Sequence, residues 1–179
     1  GKAHLEGFGG EDGIRKGKGE LYDYLRHHNG IAFVMWDYDY LQKMSKGIPM
    51  VITYGTKDAG ITGRVKNSSG LLEVSISAGA NIGSIKTNLV GEYNLPNILL
   101  AVATGKYFNV PDEKIKAALE NYIPSNSRSQ LIEKGGNKII LDAYNANPTS
   151  MKAAIENFVN MDGADKVLLL GGMMELGLE

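Results

Sequence analysis

A β-branched apolar run that gives way first to a polar loop and then to an amphipathic stretch constrains this chain more than any other feature. Lys138-Ile139-Ile140-Leu141 reads as a strand, and Asp142-Ala143-Tyr144-Asn145-Ala146-Asn147-Pro148 as a loop. Met151-Lys152-Ala153-Ala154-Ile155-Glu156-Asn157-Phe158-Val159 then reads as a helix with one apolar face. The next apolar run, Lys166-Val167-Leu168-Leu169-Leu170-Gly171-Gly172, predicts a second strand and completes a βαβ unit. Ligands of open α/β sheets bind beyond the carboxyl ends of the strands. The loops at 142–148 and 171–177 are therefore expected at one ligand-facing edge.

The upstream pattern is also α/β. Asp12 is a candidate cap for a helix running to about His28, with Ile14, Leu21 and Leu25 on one face. Asn29-Gly30 ends it, and a strand is expected over residues 31–36. A short helix near 40–46 and a strand at 50–54 follow. Residues 61–66 and 71–76 flank Asn67-Ser68-Ser69-Gly70 as a hairpin, and residues 84–89 add a further strand after a turn at 79–83. These predict a small antiparallel layer. Asn94 then starts a helix with Pro96 in its first turn, burying Ile98, Leu99, Val102 and Ala103. Pro111 opens another, carrying Ile115, Ala118, Leu119 and Tyr122. The breaker-rich segment Ile123-Pro124-Ser125-Asn126-Ser127-Arg128-Ser129 is the expected linker, dividing the chain into 1–124 and 125–179.

Composition narrows the function classes. Nineteen basic and twenty acidic residues leave a net charge of −1, which offers no electrostatic reason for a nucleic-acid or anionic-membrane partner. The absence of cysteine excludes disulfides and thiolate metal sites and fits a cytosolic protein. The longest apolar run, from Ile98 to Ala103, is too short to span a bilayer. Gly1-Lys2-Ala3-His4 enters mid-pattern and a parallel sheet normally needs more strands than remain at the other end, so both ends are expected to lie inside a longer protein.

The candidate residues each have a plain structural reading. Asp142 at a strand end suits ribose hydroxyls, but Asn145 and Asn147 suit turn bonds and a helix cap equally well. Asn94 and Asn97 are three apart and share a helix face, where a carboxamide pairs with adenine through one donor and one acceptor; Asn94 also suits an N-cap. Arg128 is either a linker charge or a ribose or phosphate contact made at a domain junction. His4 and Lys18 are fourteen apart, and spacing alone leaves them a partly buried histidine and a solvated lysine.

The string Asp142-Ala143-Tyr144-Asn145-Ala146-Asn147-Pro148-Thr149-Ser150-Met151 resembles a signature of the Mur ligase family. Within it, the resemblance is to the branch that joins D-alanyl-D-alanine to UDP-N-acetylmuramoyl-tripeptide. Further segments agree in order. Ala3-His4-Leu5-Glu6-Gly7-Phe8-Gly9 with Lys16-Gly17-Lys18-Gly19-Glu20 is similar to the family's metal-site segment. Gly91-Glu92-Tyr93-Asn94-Leu95-Pro96-Asn97 is similar to its adenine-side helix start. Ser127-Arg128-Ser129 is similar to its junction arginine, and Gly171-Gly172-Met173-Met174-Glu175-Leu176-Gly177 to a C-terminal loop.

The resemblance implies a central ATPase domain over 1–124 and the start of a Rossmann-like C-terminal domain over 125–179. It implies ATP and Mg²⁺ as cofactors, His4 as a magnesium ligand and Lys18 as a carbamate near the metal, with Lys16 the competing lysine. Mg²⁺ prefers oxygen, which makes the histidine unusual and the carbamate apt. Asn94, Asn97, Arg128, Asp142, Tyr144, Asn145 and Asn147 are implied to face the nucleotide, with Asn97 a better contact than Asn94.

The implied activity is ATP-dependent amide formation through an acyl phosphate, in peptidoglycan precursor synthesis, by a monomeric cytoplasmic enzyme. The tripeptide and D-alanyl-D-alanine are its implied substrates. Four positions depart from the family pattern: Gly172 replaces an aspartate, Leu141 an acidic residue, and Met35-Trp36 an asparagine and a small residue. No G-x-x-x-x-G-K-[ST] phosphate loop occurs in the chain, so these residues alone are expected to bind ATP weakly and not to catalyse. Two rivals stand: a related ligase such as folylpolyglutamate synthase, and a non-catalytic nucleotide-binding module. The Tyr144–Pro148 string argues against the first.

Overall fold

The computed structural model describes residues 5–125 and 127–173. Five strands form one mixed sheet in the order β1 (Ile31–Met35), β2 (Met50–Gly55), β3 (Ile61–Asn67), β4 (Leu71–Ala78), β5 (Ser84–Val90). The first three run parallel and the last two join antiparallel. The expected antiparallel layer is thus an extension of the parallel strands. A five-residue link can connect β2 to parallel β3 because they pair only at Tyr54↔Ile61 and Gly55↔Thr62. β3 begins where β2 ends, so no long crossover is needed. In the β3–β4 turn, the Asn67 side-chain oxygen accepts from the Ser69 amide at 3.1 Å, a local substitute for a ladder bond.

Helices cover both faces because β1 alternates. Ala32 and Val34 pack with Ile48 against Tyr22 and Leu25 of α2 (Glu11–His27). On the other face Met35 shares one core with Tyr54, Leu72, Val74 and Ile85 and with α4 (Leu95–Tyr107), whose Ile98, Leu99, Val102 and Ala103 are buried. Two expectations for α2 need correcting. Its N-cap position is Gly10, and Asp12 lies within the first turn. The buried face is turned toward Tyr22, three residues before Leu25, so Leu21 remains 58% exposed. The short helices α1 (Leu5–Phe8) and α3 (Asp39–Ser45) flank it. α5 (Asp112–Asn121) buries Ile115, whereas Tyr122 is its exposed C-cap. The Asn88 amide donates to the Glu120 carbonyl at 2.8 Å, which ties the end of α5, and so the start of the linker, to β5.

Beyond the linker the structure departs from the expected βαβ unit. The strand at 138–141 forms as β7 (Asn137–Leu141), but it pairs antiparallel with β6 (Gln130–Lys134), which the periodicity did not single out. Gly135 and Gly136 close this hairpin with φ of 58° and 77°. Two central residues at positive φ match the strand twist, which is why Gly-Gly suits a two-residue loop. The helix forms as α6 (Pro148–Asn160), but residues 166–170 are not a strand. A parallel strand with apolar residues on both faces needs covering layers on each side. Among the described residues these are lacking, and Leu169 is 93% exposed.

Candidate functional site

The sheet's last strand delivers the chain to the junction. After β5, Gly91 takes φ 91°, and a 3₁₀ turn (Glu92–Asn94) leads directly into α4. A Cβ on Gly91 would stand 2.2 Å from the Tyr93 ring, so the missing side chain is what lets that ring fold back over the turn. Asn94 occupies the N-cap position in a helical conformation without a side-chain cap bond, which corrects its expected capping role. Its amide instead donates to the Val90 carbonyl at 2.9 Å, and its oxygen accepts from the Asn97 amide at 3.2 Å. The two asparagines do share one helix face, and Asn97 is exposed on it.

The second part of the chain meets the first at Tyr93. Its hydroxyl lies 2.8 Å from Ser129 Oγ and donates to Asp142 Oδ2 at 3.4 Å. The Ser129 amide donates to Asp142 Oδ1 at 3.1 Å, and the Ala143 amide donates to the Ser127 carbonyl at 2.8 Å. Ser129 is buried, while Asp142 remains exposed. Burial raises the Tyr93 pKa, and the nearby Asp142 charge raises it further against the opposing Ser129 hydrogen bond. The hydroxyl therefore stays protonated near neutral pH.

Ser127 and Ser129 both adopt positive φ, 57° and 50°, on either side of Arg128. This conformation is costly for residues with a Cβ and persists only where neighbours enforce it. Here the enforcing contacts are the Ala143, Asp142 and Tyr93 bonds. Arg128 lies exposed between them, with its guanidinium carbon 3.7 Å from the centroid of the Tyr144 ring. At an exposed site such stacking contributes roughly 0.5–1 kcal/mol and restricts the guanidinium's orientation.

The other loop asparagines act locally. Asn147 Oδ1 accepts from the Ser150 amide at 3.0 Å while Ser150 Oγ accepts from the Asn147 amide at 3.1 Å, a reciprocal cap on α6. Asn145 Oδ1 accepts from the Ala146 amide at 2.8 Å. The structure thus assembles Arg128, Asp142 and Tyr144 beside the α4 start that carries Asn94 and Asn97. Asn145 and Asn147 continue the same loop.

Lys18 is not in this assembly. It is exposed on α2, which packs against β1 on the face opposite α4. Lys16 is exposed too, and two residues along a helix place the lysines on nearly opposite sides. His4 and residues 174–177 of the last loop lie outside the described residues. Among the described residues, no group of three His, Cys, Asp or Glu side chains converges.

Tyr93 and Ser129 are partners that residue type alone does not reveal, because the bond between them spans 36 positions and no spacing rule pairs them. Two clefts of 420 and 460 Å³ lie elsewhere, one beside Lys106 and Asp112, the other between the β3–β4 turn and the β6–β7 hairpin. Neither is lined by a residue of this cluster. The assembly is an open, polar edge with one pinned cation, one exposed carboxylate and carboxamides beside a helix start. Such a set can hold the hydroxyl, anionic and heteroaromatic parts of a nucleotide.

Residues 1–105 match the model for the Mur ligase middle domain, and residues 127–179 that for the Mur ligase glutamate ligase domain. The chain is 33% identical over 186 residues to UDP-N-acetylmuramoyl-tripeptide–D-alanyl-D-alanine ligase of Bacillus subtilis (strain 168), covering 99% of this chain and 38% of that one. It superimposes on a MurF crystal structure from Acinetobacter baumannii with TM-score 0.83 at 30% identity, covering 99% of this chain and 39% of the other. A MurF ligase from Thermotoga maritima in complex with ADP gives TM-score 0.84 at 24% identity, a likeness of fold, over 99% and 41%. The chain spans about two fifths of the length of these relatives.

Proposed function

The chain belongs to the Mur ligase family, and from that premise we propose that its protein joins D-alanyl-D-alanine to UDP-N-acetylmuramoyl-tripeptide at the expense of ATP. The observation that carries this reading is colinear similarity, at 33% identity over 99% of the chain, to a ligase of that name. Folylpolyglutamate synthase is not favoured by it. We assign residues 1–124 to the middle domain and 125–179 to the C-terminal one.

In the proposed reaction the γ-phosphoryl group of ATP passes to the tripeptide's terminal carboxylate, releasing ADP. The dipeptide's amine attacks the resulting acyl phosphate, and the tetrahedral intermediate collapses to the amide with loss of phosphate and a proton. Barrier lowering in such a transfer comes mainly from positioning and from neutralising phosphate charge. Asn97, and secondarily Asn94, would face adenine. Asp142 would accept from a ribose hydroxyl, and Arg128, held over Tyr144, would meet ribose or phosphate oxygens. Asn145 and Asn147 would shape that loop, Asn147 through its cap on α6.

Mg²⁺, when bound, would neutralise phosphate charge. His4 and a Lys18 carbamate are the proposed holders, the carbamate providing the oxygen donors that Mg²⁺ favours. Exposure of both lysines leaves each amine open to CO₂. Intact-mass and peptide mapping in bicarbonate should place a 44-Da adduct on Lys18; an adduct on Lys16 instead would reassign the role.

The decisive assay is phosphate release by the full-length protein. It should require ATP, UDP-N-acetylmuramoyl-tripeptide and D-alanyl-D-alanine together. Turnover independent of the dipeptide would refute this function.

A further inference from the structure

We propose that Tyr93 is a positioning residue for the nucleotide-facing pair Asp142 and Arg128, with its hydroxyl joining the α4 start to the 127–129 segment. The inference rests on the nucleotide role just proposed for that pair.

The geometry carries it in three steps. The Tyr93 hydroxyl is within hydrogen-bond distance of Ser129 Oγ at 2.8 Å and of Asp142 Oδ2 at 3.4 Å. A phenol has one proton and can also accept, so the arrangement using every contact has one proton order. Ser129 Oγ–H donates to the Tyr93 oxygen, and Tyr93 O–H donates to the carboxylate. Asp142 then receives two protein donors on separate oxygens, the Ser129 amide on Oδ1 and the phenol on Oδ2. That fixes the plane of an otherwise exposed carboxylate.

The same contacts hold Ser129 at φ 50°, and with Ser127 at 57° they turn Arg128 outward over Tyr144. Without the hydroxyl, Ser129 loses a bond partner at a strained backbone, and the segment can relax toward ordinary negative φ. The 3.4 Å contact to Oδ2 is the longest of these three and so the weakest. It is the one a ribose hydroxyl can displace, while the shorter Tyr93–Ser129 contact continues to hold the backbone.

The test is Tyr93→Phe in the full-length protein, which keeps the ring packed over Gly91 and removes only the oxygen. The expected result has three parts. ADP affinity by calorimetry weakens about five- to tenfold, KM for ATP rises in step while kcat moves twofold or less, and amide exchange at residues 127–129 accelerates. Tyr122→Phe, at an exposed tyrosine that takes no part in these hydrogen bonds, serves as the control and should change none of these. Faster exchange with unchanged ADP affinity would reduce the hydroxyl to a structural contact and overturn the inference. Unchanged exchange overturns it as well. A wild-type protein that binds ADP but does not ligate removes the proposed reaction and leaves the affinity comparison to decide on Tyr93. A wild-type protein that does not bind ADP overturns both.

Discussion

The two parts of the chain carry similar apolar patterns and use them differently. In the first part Leu72, Val74, Ile85, Ile98, Leu99 and Val102 are almost completely buried between the sheet and its helices. Beyond the linker, no hydrophobic side chain among the described residues 130–173 is buried to that degree. Val159, Val167, Leu169 and Leu170 are each more than half exposed. The difference shows that apolar periodicity specifies an element only where another layer exists to cover it. α4 has three strands beneath it, whereas α6 follows a hairpin too small to bury one face.

The sharpest way to break the comparison is to truncate one leucine in each part. Leu99→Ala should cost about 2–5 kcal/mol, because Leu99 is fully buried and its removal leaves a cavity. Leu169→Ala, at 93% exposure, should stay within roughly 0.5 kcal/mol. Urea unfolding of both variants reads the contrast, and equal losses would mean that residues 166–170 are packed in solution.

Gly91→Ala comes next and acts on the join between the parts. The backbone there has φ 91°, and the added Cβ would meet the Tyr93 ring at 2.2 Å. A cost of about 2 kcal/mol is expected from the conformation, with ring displacement added to it. The Ser129 amide should exchange faster in this variant than in Leu99→Ala when the two are compared at equal global stability.

Most of the first part was legible in the sequence. Strands β1 to β5 and helices α4 and α5 follow from alternation, turn residues and Pro96 or Pro111 near helix starts. The partition of faces was less so: a one-position rotation of α2 exchanged Leu21 for Tyr22. In the second part, Gly135-Gly136 was a readable hairpin signal, but the short Leu131-Ile132 run before it is weak evidence for a strand. The expected strand at 166–170 failed for a non-local reason, since its pattern describes what it would bury and not whether partners are present. The candidate site divides similarly. Asp142, Arg128 and the Asn94–Asn97 pair could be named from residue type and the family resemblance. Their connection through Tyr93 and Ser129 depends on positive φ at two serines and on bonds across 36 and 49 positions.

Asn147→Ala tests whether α6, with little packing to support it, relies on its cap. Loss of the reciprocal Asn147–Ser150 bonds should cost about 1 kcal/mol. It should appear as reduced helical ellipticity, with the main unfolding transition almost unmoved. A shift of the whole transition would show instead that α6 is coupled to the sheet.

The smallest effect is a pH dependence belonging to the well-packed part. The Lys106 ammonium, 2.6 Å from Asp112 Oδ1, lowers the Asp112 pKa, helped by the Asn81 amide that donates to Oδ2 at 2.7 Å. A carboxyl whose folded pKa lies below its unfolded value binds fewer protons in the native state. Its contribution is present above the unfolded pKa and is lost as pH falls through the folded one. Solvent reaches both partners, so the gain is modest and salt-sensitive. Thermal midpoints of wild type should therefore fall more steeply than those of Asp112→Asn as pH drops below the usual carboxylate range, with the gap narrowing in high salt. Parallel curves would mean that the Asn81 and Lys106 contacts are not maintained in solution. The tie between α5 and the turn before β5 would then rest on apolar packing alone.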